Sequence, residues 1–274
     1  MHAALDGKNW KAALEKHASY IDPLVVMGVL CAYQEKGYTY LRDGGDRWGV
    51  GAAAREWAHI YGITYKTPLA PLCKKGHYGA FIGKTFETMQ EYAQLVAEHR
   101  KKKADFIKIM ISGLMDFDQF GVLTEEGLTP EEIREMIHIA HEEGFSVMAH
   151  ANGARVIRAA AEAGVDSVEH GAYPDTDALQ AMVENRVIWV PTISTIGNLR
   201  GKGRFDENAV RAIFDQTVEN VRLFHKMGGI VAPGTDGGAW AVEHGCATEE
   251  GYLKQAGVGP AACARGLRAV MERF

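Results

Sequence analysis

Between Phe106 and Ala232 short apolar runs alternate with longer amphipathic stretches, and this alternation limits the chain to few architectures. The short runs are 106–111, 145–149, 165–169, 187–190 and 229–232. Their length suits strands, and the stretches between them suit helices at about 129–143, up to about 163, 176–185 and 206–227. Thr129-Pro-Glu-Glu132 carries an N-cap threonine, proline at the first helical position and glutamate at the capping-box position, and Gly144 stops that helix. Strands spaced by helices in this way indicate parallel βα units.

Upstream, a helical region over about 9–36, broken or bent near Pro23, precedes a strand at 38–41. A helix at about 49–61, a strand and loop from 63 to 72, and a helix at about 85–103 lead to the run at 106. Two further helices are expected near 247–256 and 260–272. This gives seven strands, and one more would close an eight-stranded (β/α)8 barrel of the TIM type. Long helices and short strands favour a barrel over a doubly wound sheet. No linker or low-complexity stretch divides residues 1–274, so a single domain is expected.

Polar residues interrupt this pattern at particular places. Lys108 lies inside Phe106-Ile-Lys-Ile-Met-Ile111, where alternation puts Phe106, Lys108 and Met110 on one face and three isoleucines on the other. A lysine is rarely buried without a partner. His150, His170 and Asp236 each follow a short apolar run. Catalytic groups of barrels gather at the C-terminal ends of different strands, so these four residues read as one site. Imidazoles and carboxylates are ligands for zinc and related divalent ions. A lysine amine in an apolar wall has a lowered pKa. In its neutral form it can add carbon dioxide to become a carbamate, or form a Schiff base with a carbonyl substrate.

The motifs Phe106-Ile-Lys-Ile-Met-Ile-Ser-Gly113, Met148-Ala-His-Ala-Asn-Gly153, Gly164-Val-Asp-Ser-Val-Glu-His-Gly171 and Gly234-Thr-Asp-Gly237 resemble, in order and over nearly the whole chain, those of the amidohydrolase superfamily. Within it, the chain is similar to the group that includes imidazolonepropionase and Xaa-Pro dipeptidase-like enzymes. The resemblance implies a metal-dependent hydrolase of amide or cyclic-amide C–N bonds, such as those of dipeptides or N-acyl amino acids. It implies one or two divalent ions, Zn2+ first among them, with Lys108 carboxylated and bridging. His150 and His170 would bind one ion, and His2 and Asp236 the other. Asp236 would also serve as general base.

The family carries a His-x-His pair at the end of its first barrel strand. This chain opens Met1-His2-Ala3, so His2 aligns with the second histidine, and the first, with its strand, would precede Met1. A flanking β-sandwich is not expected either. The expectation is a barrel incomplete at its N-terminus, with bare strand edges that favour self-association.

Other residues carry weaker signals. His244, after the last strand, and His77-Tyr78, in a glycine-rich loop, could contact substrate, and a loop role stands beside each. Gly83-Lys-Thr85 lacks the earlier glycine of a nucleotide-binding loop. No Gly-x-Ser-x-Gly elbow is present.

Composition narrows partners and compartment. A net charge of -5 with only one basic run, Arg100–Lys103, gives no sign of a nucleic-acid partner. No apolar run approaches the ~20 residues that cross a membrane. Four scattered cysteines, Cys31, Cys73, Cys246 and Cys263, and no signal peptide at Met1 lead to the expectation of a cytoplasmic enzyme with a small-molecule substrate. Two other readings fit the same residues: an aldolase or lyase using Lys108 as a Schiff base, and a truncated barrel without catalysis.

Overall fold

Nine short strands, all parallel where they pair, carry the architecture of the computed structural model, which describes residues 1–274. In chain order the elements begin with α1 (Trp10–Ser19), α2 (Pro23–Gln34), β1 (Tyr40–Arg42), α3 (Val50–Trp57) and β2 (Thr64–Lys66). Next come β3 (Leu72–Lys74), β4 (Lys84–Phe86), α4 (Met89–Lys101), β5 (Ile107–Met110), α5 (Pro130–Glu142) and β6 (Val147–Ala151). Then follow α6 (Ala154–Glu162), β7 (Ser167–His170), α7 (Thr176–Glu184), β8 (Ile188–Val190) and α8 (Ser194–Gly197). Last are α9 (Glu207–Lys226), β9 (Ile230–Val231), α10 (Thr248–Gln255) and α11 (Pro260–Arg273). No helix is long and apolar enough to cross a membrane, and all four cysteines are free.

The strands form a seven-stranded sheet in the order β4-β3-β5-β6-β7-β8-β9 and a two-stranded sheet β1-β2. The pieces meet where the Asp105 backbone N–H donates to the Thr67 carbonyl at 3.0 Å, just before β3 takes up the ladder with β5. The expected strand from 63 is thus two strands, separated by a segment holding Pro68, Pro71 and a left-handed Leu69. Proline has no N–H to give to a ladder, which explains the interruption.

Local chemistry also moves helix starts. Asp22 accepts from the Leu24 N–H and Pro23 occupies the first turn, so α2 begins afresh and the expected bent helix is two helices. Thr88 and Glu91 form a capping box, so α4 starts at Met89, and Thr85 and Phe86, expected as helix, belong to strand β4 (Lys84–Phe86). The box of Thr129 and Glu132 starts α5 as expected.

Two apolar clusters lie on opposite faces of the large sheet. Ile107, Ile109, Val147, Ala149, Val168 and Trp189 pack with the helices that follow their strands. On the inner side Phe106, Met148, Ile188, Val190 and Ala232 gather around Val270 of α11 and Phe274, which caps it. The period-2 pattern of a sheet produces both. A third cluster packs α2 and α3 against β1 and β2.

No ladder joins β9 to β1, so the parallel sheet does not close by strand pairing. Two other segments fill the interval. Met1 and His2 lie at its upper end: the Gly44 N–H donates to the Met1 carbonyl at 2.7 Å, and the His2 N–H donates to that of Gly237 at 2.8 Å. Along β9 lies α11, so close that a Cβ at Gly266 would stand 2.0 Å from the Val231 carbonyl oxygen. The strand edge expected to be bare is covered by a helix.

Candidate active site

The inner face of the sheet opens into a cavity of about 280 Å³, lined by Met1, His2, Arg42, Lys108, Glu169, His170, Thr192 and Asp236 among others. Lys108 projects from the middle of β5 and is 3 % exposed. No carboxylate stands within ion-pair distance of its ammonium, and none of the side-chain hydrogen bonds involves it. Burial lowers its pKa, and the charges of Glu169 and Asp236 only partly oppose that shift.

Register explains the histidines. Met110 pairs with His150 across β5 and β6, and His150 pairs with Glu169 across β6 and β7. His150 and Glu169 therefore share the inner face. His170 is one residue further and by alternation would face away. Its backbone instead turns left-handed at φ 66°, and its ring comes within 4.8 Å of the His150 ring, centroid to centroid.

Each ring has one nitrogen held by the protein. His150 Nε2 lies 3.0 Å from the Gly113 carbonyl oxygen, which can only accept, so Nε2 carries the proton. Asn152 braces the same point, its amide donating to the Gly113 carbonyl. His170 Nδ1 lies 2.6 Å from Thr192 Oγ1. His150 Nδ1 and His170 Nε2 are the nitrogens left over. This arrangement, one ring nitrogen anchored and the other free, is that of histidines that ligate metals. Burial pulls the pKa of both rings down, so both are neutral, the form a metal requires.

Asp236 follows β9 and, like His170, has a left-handed backbone, at φ 55°. His2 Nε2 stands 3.7 Å from its Oδ1. Burial raises the Asp236 pKa, but the charges of His2 and His170 outweigh it and hold the carboxyl at about 2. Burial lowers His2 to about 4 against the pull of Asp236, so at neutral pH a neutral imidazole faces a carboxylate. The buried His2 Nδ1 has no hydrogen-bond partner, an orphaned donor atom beside the cavity.

Four of the five residues expected to ligate metal, His2, Lys108, His170 and Asp236, thus line one cavity, and the His150 ring packs against that of His170. No three histidine, cysteine or acidic side chains converge on one point as they stand. The donor chemistry nonetheless fits a divalent ion: two neutral imidazoles with free nitrogens, an ionised Asp236, the unpartnered His2 Nδ1, and a buried Lys108 whose charged form is disfavoured by burial.

The two residues expected at the substrate lie elsewhere. The Tyr78 ring packs 4.8 Å from that of His150, neither residue lining the cavity, and its backbone N–H donates to Glu125. Beside it, His77 Nδ1 stands 3.6 Å from the same Glu125 carboxylate. His244 donates through Nε2 to the Leu5 carbonyl at 2.7 Å and lines an outer cleft with Trp240, Lys8 and Arg200.

Three buried polar residues at the cavity escaped the sequence reading. Arg42 ends β1 and reaches Glu169 at 2.7 Å and the Ser167 hydroxyl at 2.9 Å. Thr192 follows β8 and holds His170. Glu249 begins α10 and accepts from the backbone N–H groups of Ile193 and Ser194. Alternation in Ser167-Val-Glu-His170 places Ser167 and Glu169, the partners of Arg42, inward together; Arg42, Thr192 and Glu249 themselves carry no local signal.

A model of the Amidohydrolase family matches residues 56–269. Ochratoxinase of Aspergillus niger is 29 % identical over 194 residues, 66 % of this chain and 39 % of that protein. An uncharacterized protein of Mycobacterium tuberculosis is 26 % identical over 185 residues, 65 % of this chain and 49 % of the relative. The chain therefore spans less than half the length of these relatives. Among solved structures, Aspergillus niger ochratoxinase superposes with a TM-score of 0.78 at 20 % identity, covering 97 % of this chain and 68 % of that one. A Xaa-Pro dipeptidase with bound methionine superposes at 0.74 and 23 % identity, covering 90 % and 67 %. The chain belongs to the amidohydrolase family, whose class is that of hydrolytic enzymes.

Proposed function

We propose that this chain hydrolyses an amide or cyclic-amide C–N bond in a small substrate such as a dipeptide or N-acyl amino acid, with one or two divalent ions, zinc foremost. One observation carries the reading: the His150 and His170 rings, each with one nitrogen anchored, pack 4.8 Å apart, and His170 lines the same cavity as an unpaired buried Lys108. His150, His170 and a carboxylated Lys108 would hold one ion, and His2 and Asp236 would contribute to a second. Such an ion is a Lewis acid toward a carbonyl oxygen and makes water nucleophilic near neutral pH. Asp236, ionised at neutral pH, accepts the proton that water gives up and returns it to the leaving nitrogen. We read the parallel sheet as that of a (β/α)8-type barrel, with α11 packed along β9 and Met1–His2 bonded to Gly44 and Gly237.

The test is metal content per chain on protein expressed with zinc and bicarbonate, alongside hydrolysis of a dipeptide and N-acyl amino acid panel. Lys108→Ala should lose most bound metal and all turnover, with short carboxylic acids restoring part. Full metal content in that variant would end the bridging role. The unpaired amine also suits a Schiff-base lyase; borohydride trapping of a carbonyl substrate on Lys108 would favour that chemistry instead.

A further inference from the structure

The loop after β8 is held at several points, and its grip ends on one ring nitrogen. Thr192 is buried and takes a left-handed backbone at φ 46°, a conformation β-branched residues rarely adopt. It hydrogen-bonds His170, which is itself left-handed at φ 66°. Two side-chain-bearing residues in this region, joined through their side chains at 2.6 Å, require surroundings that fix both. Those surroundings are visible. The Trp189 indole N–H donates to the His170 carbonyl at 2.9 Å, and the Gly171 N–H donates to that of Ala151 at 3.1 Å. The Thr195 hydroxyl and N–H both donate to the Thr192 carbonyl, at 2.9 and 3.0 Å. Glu249, 2 % exposed, takes the Ile193 N–H at 3.0 Å, the Ser194 N–H at 2.7 Å and the Ser194 hydroxyl at 2.8 Å. These three donors come from Ile193 and Ser194, the two residues directly after Thr192, so Glu249 clamps the loop next to the point from which the Thr192 side chain departs.

We propose that Thr192 is a positioning residue that accepts the Nδ1–H of His170, fixing the tautomer and aim of the ring so that Nε2 presents its lone pair to the cavity, and that Glu249 holds Thr192 in place. The inference deepens the metal-centre reading and rests on it for its functional meaning. The geometry stands without it. Nothing else in the structure bonds to His170 Nδ1, so the tautomer depends on this one hydroxyl. Anchoring partners of ligating histidines change metal affinity by about 10–100-fold when removed.

The experiment uses the full chain, with ¹⁵N-labelled histidine, as Thr192→Val, Thr192→Ala, Thr192→Ser and Glu249→Ala variants. Imidazole ¹⁵N shifts of the metal-free protein should show wild-type His170 as a single Nδ1–H tautomer. Thr192→Val and Thr192→Ala should give a mixture and weaken zinc binding about 10- to 100-fold. Thr192→Ser should restore both readouts. Glu249→Ala should give the mixture with Thr192 intact. An Nε2–H tautomer in the wild type overturns the proposal. So does a single Nδ1–H tautomer with zinc affinity within about twofold of wild type in folded Thr192→Val or Thr192→Ala. A wild-type chain that binds no zinc overturns the metal-centre reading instead, and the tautomer spectra then decide the role of Thr192 alone.

Discussion

Arg42 and Glu169 form an ion pair at 2.7 Å across the inner face, with side chains only 7 % and 5 % exposed. The pair joins the small β1-β2 sheet to the strand that carries His170, and the Arg42 guanidinium also lies 4.3 Å over the ring of Phe274, the residue that caps α11. Three elements with no shared ladder thus meet at one side chain. Removing one member of a buried pair leaves the other charge without compensation. Arg42→Ala should destabilise the fold by about 3–5 kcal/mol. Urea denaturation would measure it, and the double variant with Glu169→Gln should lose less than the sum of the two single changes. Additive losses would mean that the two side chains act independently.

Glu249 sets a pH dependence. Burial, outweighing its three hydrogen-bond donors, raises its pKa from 4.5 to about 7. Between those values the folded state holds a proton that the unfolded state has released. Its contribution to stability is therefore full below about pH 4.5 and lost as pH rises through about 7. The difference in stability between wild type and Glu249→Gln should shrink by up to about 3 kcal/mol from pH 4.5 to pH 8. Parallel stability–pH curves for the two proteins would show that Glu249 does not titrate in this range.

Asp236→Asn separates the proton acceptor from the ligands. The amide is nearly isosteric but cannot take a proton from water. Turnover should fall by about two to four orders of magnitude. Zinc content should stay above that of His150→Ala, measured by metal analysis after gel filtration. Near-normal turnover in Asp236→Asn would contradict its role as base.

Gly266→Val should be severe. The new Cβ would meet the Val231 carbonyl oxygen and, at 2.7 Å, the Ala232 Cα, both of them backbone. Neither can swing aside as a side chain would, so α11 must lift from β9, at a cost of about 1–3 kcal/mol or more. Thermal melting would register the loss, and an unchanged midpoint would show that the helix does not depend on this contact.

The alternation of apolar runs made most strands and helices legible, because period-2 and capping signals are local. The capping box at Thr129 placed the start of α5 to the residue. The sequence reading extended the α4 helix back to 85 because its apolar spacing ran on past the true cap at Thr88. Lys108, His150 and His170 stood out as polar groups ending or breaking apolar runs, and they do lie together. Arg42 and Glu249 did not stand out. Each comes from a distant element, and its partner is fixed only by folding: 127 residues separate Arg42 from Glu169. The pairing of β3 with β5 was equally hidden, since it depends on how the proline-broken segment after Lys66 turns.

The helix α11 occupies the side of β9 where another strand would otherwise add. An intruding strand, from this chain or a neighbour, would first have to evict Gly266 from the Val231 carbonyl and Val270 and Phe274 from the inner cluster. The edge is therefore guarded by competition rather than by charge or proline, the devices that usually blunt an exposed strand. Whatever loosens this helix would turn a quiet flank of the molecule into a template for recruitment.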